Sequence, residues 1–134
     1  MFCKASLFCR ASLAAALAIT LTTPAMAQQA GLARPNLVLE QVVEGLPRDE
    51  KQTVRVMTAS FKPGDKTVYH THRFPVTVYL LEGAFTLELD GRAPIVVKAG
   101  ESLVEPSGVA MTGYNITSSG TTKVVTLFFS ANDT

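Results

Sequence analysis

G-D-K-T-V-Y-H-T-H-R-F-P-V-T-V-Y-L-L-E-G, residues 64–83, contains the only two histidines of the chain, His70 and His72. Side chains alternate between the two faces of a β-strand, so residues i and i+2 share a face. In an extended segment Val68 to His72 would therefore project both imidazoles to one side, with about 7 Å of backbone rise between them. That arrangement suits two ligands converging on one metal ion. Val76-Thr77-Val78-Tyr79-Leu80-Leu81 follows, rich in β-branched and aromatic residues and strongly strand-forming. Gly64 and Gly83 bracket the pair, and the rest of the chain reads as the barrel built around it.

Toward the N-terminus, Lys4 and Arg10 precede an apolar run from Ala11 to Leu21, followed by Pro24 and Ala25-Met26-Ala27. A basic start, an apolar stretch and a small-x-small site make a secretory signal peptide. The run is too short for a spanning helix and too uniformly apolar for an amphipathic one. Residues 1–27 are expected to leave, with cleavage after Ala27 and a periplasmic or secreted product. Cys3 and Cys9 leave with them, so the mature chain has neither disulfides nor thiolate chemistry. Neither cysteine sits at the cleavage point, which argues against a lipid anchor, and no membrane segment remains. The mature chain keeps ten Lys/Arg and eleven Asp/Glu, a net charge near −1. It has no basic patch interleaved with aromatics, so nucleic acid is not an expected partner. Its 107 residues suffice for one domain.

Residues 28–36 read as a flexible leader with Gly31 and Pro35 as breakers, and 37–134 as the domain. The expected strands are Leu37–Val43, Thr53–Phe61, Val68–His72, Val76–Leu81, Ala84–Leu89, Ala93–Val97, Ser102–Glu105, Val109–Tyr114 and Lys123–Phe129. Lys62-Pro63-Gly64-Asp65 and Asp90-Gly91 are turn sequences. In Ala84–Leu89 the alternation places Phe85, Leu87 and Leu89 toward a core, with Thr86 and Glu88 on the other face. Short strands with closely spaced turns and no sustained helical period argue for an all-β fold, two sheets rolled into a jelly roll.

The turns and histidines together resemble the two motifs of the cupin family, a double-stranded β-helix barrel. The first is Gly64, five residues, His70-Thr71-His72, three residues, Val76, six residues, Gly83. The second, sixteen residues on, is Gly100, five residues, Pro106-Ser107-Gly108, two residues, Met111, three residues, Asn115. The resemblance covers roughly Met57 to Phe129 and implies a site in the barrel interior. Metal-binding cupins usually carry a glutamate where this chain has Val76, and a third histidine where it has Met111. His70, His72 and Met111 are thus the candidate ligands of a degenerate metal site.

Three readings follow. With Met111 as a third ligand, two imidazoles and a thioether favour copper over zinc, manganese or iron. Without a metal, the barrel binds a small molecule in an apolar pocket, for which Val76, Tyr79 and Asn115 are candidate residues. In the third, the histidines are packed in a vestigial interior. The family also contains metal-dependent enzymes of oxygenase and isomerase type, but no serine here sits in a G-x-S-x-G setting. Whether the chain is an enzyme is therefore left open, and catalytic residues unassigned. Glu82, Glu88, Glu101 and Glu105 read as turn or solvent-facing residues. Asn115-Ile116-Thr117 matches a glycosylation sequon and is assigned a turn role. Dimers are common in the family, and Leu37–Val43 is the expected edge of a homodimer. The intact mass of the exported protein checks the signal, and a chain starting at Gln28 is the expected result.

Overall fold

The computed structural model describes Gly31 and residues 33–131. The expected signal peptide and its cleavage point lie outside the described residues, as do 28–30 and 32 of the expected leader. The chain divides into two units, Met1–Arg34 and Pro35–Thr134, and the second carries the fold. Among the described residues no helix is long and apolar enough to cross a membrane.

Seven strands form in chain order: β1 (Gln52–Phe61), β2 (Val76–Glu82), β3 (Ala84–Leu89), β4 (Ile95–Lys98), β5 (Ser102–Glu105), β6 (Met111–Tyr114) and β7 (Thr122–Ala131). They make a four-stranded sheet, β1-β7-β2-β5, and a three-stranded sheet, β4-β3-β6, with every pairing antiparallel. The all-β jelly roll expected from the turn spacing is the observed architecture.

The core fills the space between the sheets. Val76, Val78 and Leu80 of β2 meet Phe85, Leu87 and Leu89 of β3, with Val97, Leu103, Met111 and Val124 completing the cluster. Alternation along β2 and β3 accounts for this, each strand aiming every second residue inward. Thr86 departs from the expected pattern. It is buried as well, because β3 is the central strand of its sheet and Val96 and Tyr114 stand opposite Thr86 on its two neighbours.

Two expected strands are not strands. Leu37–Val43 is mostly exposed and carries no ladder. Residues 36–43 border a shallow groove with Thr77, Tyr79, Ser102 and Val104, so the segment meets side chains of β2 and β5 rather than a sheet edge. Strand-like composition there has no backbone partner to pair with. Val68–His72 is the second, and it is held by isolated bridges described below. The ladders of β4 and β6 start at Ile95 and Met111, two residues later than expected.

Two glycines make the packing possible. Gly83 joins β2 to β3 at φ 76°, and a Cβ there would stand 2.9 Å from the Thr121 carbonyl oxygen. Gly113 on β6 lies under the Phe85 ring, where a Cβ would come within 2.1 Å of a ring carbon. Phe85 packs in turn on Phe61, with ring centroids 5.4 Å apart. Overpacking a core of this kind costs about 1–3 kcal/mol. Gly113→Ala is therefore expected to lower the thermal midpoint by roughly 4–8 °C per kcal/mol lost. Phe85→Leu in the same chain should recover part of the loss, and thermal unfolding followed by circular dichroism measures both.

Candidate functional site

The histidine segment leaves β1 through a tight turn in which Asp65 N–H donates to the Lys62 carbonyl and the Asp65 carboxylate accepts from Lys62 N–H. It then runs along β6 and the connection before it on three separate bridges, Lys66 with Tyr114 and His70 with Met111 on β6, and His72 with Ser107 between β5 and β6. His70 and Met111 exchange both backbone bonds, at 3.0 and 2.8 Å, and Gly108 N–H donates to the His72 carbonyl at 2.8 Å. The bridge at Met111 is antiparallel and that at Ser107 parallel. A chain pinned this way cannot form one continuous ladder, which is why the segment is irregular.

Its irregular path brings the two rings together. Their centroids are 4.7 Å apart at 82°, and the two Nε2 atoms are separated by 3.2 Å. His70 Nδ1 lies 2.7 Å from the Val68 carbonyl. A carbonyl only accepts, so Nδ1 carries the proton and Nε2 presents its lone pair. His72 stacks edge-on against Phe128, with centroids 5.8 Å apart.

The residue that the sequence reading placed at the surface is Glu105. It is 6% exposed, and its Oε2 lies 2.9 Å from His72 Nε2. Register explains the position, since Val76 of β2 stands directly opposite Glu105 of β5. The carboxylate that Val76 lacks is thus supplied from the adjacent strand. A signal for it was present, because Leu103 and Glu105 are two apart and must share a face. The other three glutamates match expectation. Glu82 pairs with Lys123, Glu88 accepts from Tyr114, and Glu101 caps its own turn through Lys98 N–H.

The remaining candidates fall in different places. Met111 is fully buried in the apolar cluster, and its backbone is bonded to His70. Val76 is core. Tyr79 alternates away from Val78 and Leu80, onto the outer groove. Asn115 is fully buried as a structural tie. Its amide nitrogen donates to the carbonyls of Phe61 and Gly120, and its oxygen accepts from Thr117 N–H and Oγ1. Both amide hydrogens are engaged, which leaves the sequon unsuited to glycosylation. Tyr69 and Tyr114 donate to Asp90 and Glu88, and these carboxylates hold both phenols above their usual range.

Among the described residues no group of three or more His, Cys, Asp and Glu side chains is arranged as a ready metal cage. As it stands, the site is a hydrogen-bonded chain, with His72 Nε2 within reach of both Glu105 Oε2 and His70 Nε2. The donor chemistry nonetheless fits a metal. Ligands about 2.0–2.2 Å from one ion lie roughly 2.8–3.6 Å from each other at angles between 90° and the tetrahedral value, and the two separations here are 2.9 and 3.2 Å. The Val68 carbonyl would be the outer partner that orients a metal-binding imidazole.

Beside His72 opens a pocket of about 360 Å³. Arg55 and Met57 line it from β1, and Phe128, Phe129 and Ser130 from β7. His72, Arg73 and Phe74 close the third side.

The family model described as cupin domain matches residues 57–128. No curated protein matches the chain in sequence. Among solved structures, it is similar to a cupin-like protein from Thermotoga maritima (18% identity, TM-score 0.52, 55% of each chain covered). It is also similar to an RmlC-like cupin family protein with a double-stranded β-helix fold from Methanocaldococcus jannaschii. There the identity is 20% and the TM-score 0.54, with 69% of this chain and 92% of the other covered. A third is a DMSP lyase from Ruegeria pomeroyi (15% identity, TM-score 0.51, 59% of this chain and 39% of the other). The chain spans just over half the length of the Thermotoga protein, and at these identities the likeness is one of fold.

Proposed function

This chain belongs to the cupin family, and on that premise we propose that it is an exported binding protein whose barrel takes one divalent first-row metal ion. His70, His72 and Glu105 are the donors. The observation that carries this reading is the placement of Glu105 Oε2 and His70 Nε2 2.9 and 3.2 Å from His72 Nε2. Two imidazoles and a carboxylate form the donor set that suits iron(II), manganese or zinc and leaves positions open for a further ligand. Copper held through Met111 was the preference drawn from sequence. A hard oxygen donor at Glu105 moves that preference toward the harder ions.

Metal titration of the chelator-treated protein tests the proposal, with zinc(II), manganese(II), iron(II) and copper(I) as probes. Glu105→Gln is expected to weaken zinc and manganese binding at least tenfold, and Met111→Leu to leave it within a few-fold. Loss of copper(I) binding in Met111→Leu, with Glu105→Gln unaffected, supports the thioether site instead. Failure of the native protein to take up any of these ions removes the metal reading and leaves a metal-free small-molecule binder.

A homodimer is the second half of the proposal, and β1 favours it. Val54 and Val56 are 57% and 62% exposed on an edge strand, and Val56 stands beside Leu127. Long exposed apolar edges are normally covered. Light scattering is expected to give twice the protomer mass, and Val56→Glu to halve it without unfolding the chain.

A further inference from the structure

We infer that the pocket beside His72 binds a neutral aromatic molecule of two fused rings, held by apolar contact with Met57, Phe74, Phe128 and Phe129. The inference goes beyond the metal reading, rests on its small-molecule alternative, and stands whether or not the site holds an ion.

The pocket follows from the unequal width of the two sheets. Four strands face three, and β1 is an outer strand of the wider sheet. Arg55 of β1 lies in a row with Phe128 and Val76, and Met57 in a row with Thr126 and Val78. Directly opposed residues share a face, and the burial of Val76 and Val78 shows that this face is the inner one. Met57 points inward with them and is nevertheless 53% exposed. The cover at this end comes from the histidine connection. His72 rests edge-on against Phe128, and Arg73 and Phe74 stand beside it on the pocket wall. An inward methionine and aromatic rings left open in this way form an apolar recess at the edge of the core.

The polar groups of the lining are already engaged. Arg55 donates from Nη1 to Ser130 Oγ at 2.9 Å and is not free. Arg73 stands over the Phe74 ring, 5.1 Å from its centroid, within the reach of a cation–π contact. His72 Nε2 is bonded to Glu105. A ligand carboxylate would lose its water here without a free donor to replace it, which is costly. A neutral ring system loses little and gains the apolar wall. Phenyl groups add offset or edge-to-face stacking, and a methionine sulfur also favours ring contact. Size sets the number of rings. An apolar cavity of roughly 150 Å³ takes one benzene. At about 360 Å³ this pocket has room for two fused rings, with a short polar group left at its mouth.

The test titrates 2-naphthalenemethanol into the chelator-treated and the zinc-loaded protein, with 2-naphthoate as its charged counterpart and benzyl alcohol as its one-ring counterpart. Isothermal titration is expected to give the naphthyl alcohol at least tenfold higher affinity than either, in both forms of the protein. Met57→Glu should lower that affinity at least tenfold. Thr58→Glu, one residue on and on the opposite, exposed face of β1, should leave it within twofold. In the unsubstituted protein the naphthyl alcohol should shift the Met57 methyl resonance and the amides of His72 and Phe128–Ser130, a readout that needs no variant to fold. No binding of the naphthyl alcohol, a counterpart that binds as tightly, or an affinity untouched by Met57→Glu overturns the inference. A loss in Thr58→Glu as large as in Met57→Glu overturns it too, since the ligand then lies elsewhere on β1. Binding that requires zinc and fails in Glu105→Gln but not in Met57→Glu overturns it while upholding the metal reading. Binding that depends on Met57 in a protein that takes up no metal does the reverse.

Discussion

β2 is paired on both sides, with β7 along one edge and β5 along the other, and its register decides what the barrel contains. Side chains on a strand repeat every two residues, so a slip of one would turn its whole inner set to solvent. With Val76 opposite both Phe128 and Glu105, the inner face acquires Arg55 at one end and Glu105 at the other. Val78 and Leu80, next along the same face, seal the core beneath them. The apolar floor holds the register, and the register carries the polar groups into position.

The histidines arrive by a different route. They sit on a segment held by three separated bridges, two antiparallel to β6 and one parallel to Ser107 in the connection before it. A regular strand would have kept the two Cβ atoms about 7 Å apart along the backbone. Bending the segment, and tying His70 Nδ1 to the Val68 carbonyl, brings the Nε2 atoms within 3.2 Å. Asn115 and Gly113 hold the start of the segment, through backbone bonds to Gly64, Asp65 and Thr67. One ties the end of β1 to the loop before β7, and the other leaves room for Phe85 against Phe61. The site therefore depends on side-chain and loop contacts as much as on strand pairing.

Much of the fold is readable in local pattern. Ala84–Leu89 alternates cleanly and is a strand with those bounds, and the turns at Lys62–Asp65 and Asp90-Gly91 stand where glycine and proline mark them. Leu37–Val43 has the same composition and no partner strand, since composition reports a preference and pairing needs a neighbour. Glu105 was misread for a related reason. Its residue type suggested solvent, whereas its phase with Leu103 placed it inside. Tyr79 and Asn115 sit near the motifs in sequence, but strand phase sends the first outward and four hydrogen bonds turn the second into a tie.

What the residues alone determined was the class of fold and the two imidazoles on one short segment, because periodicity, turn chemistry and motif spacing are local properties of the chain. Which carboxylate meets those imidazoles, and which arginine faces them across the sheet, was decided by the pairing of β1, β7, β2 and β5. Glu105 lies 33 residues from His72 in the chain and Phe128 52 residues from Val76, and no local pattern reaches so far. Only the closing of the sheet, driven by burial of the apolar faces, brings them into contact.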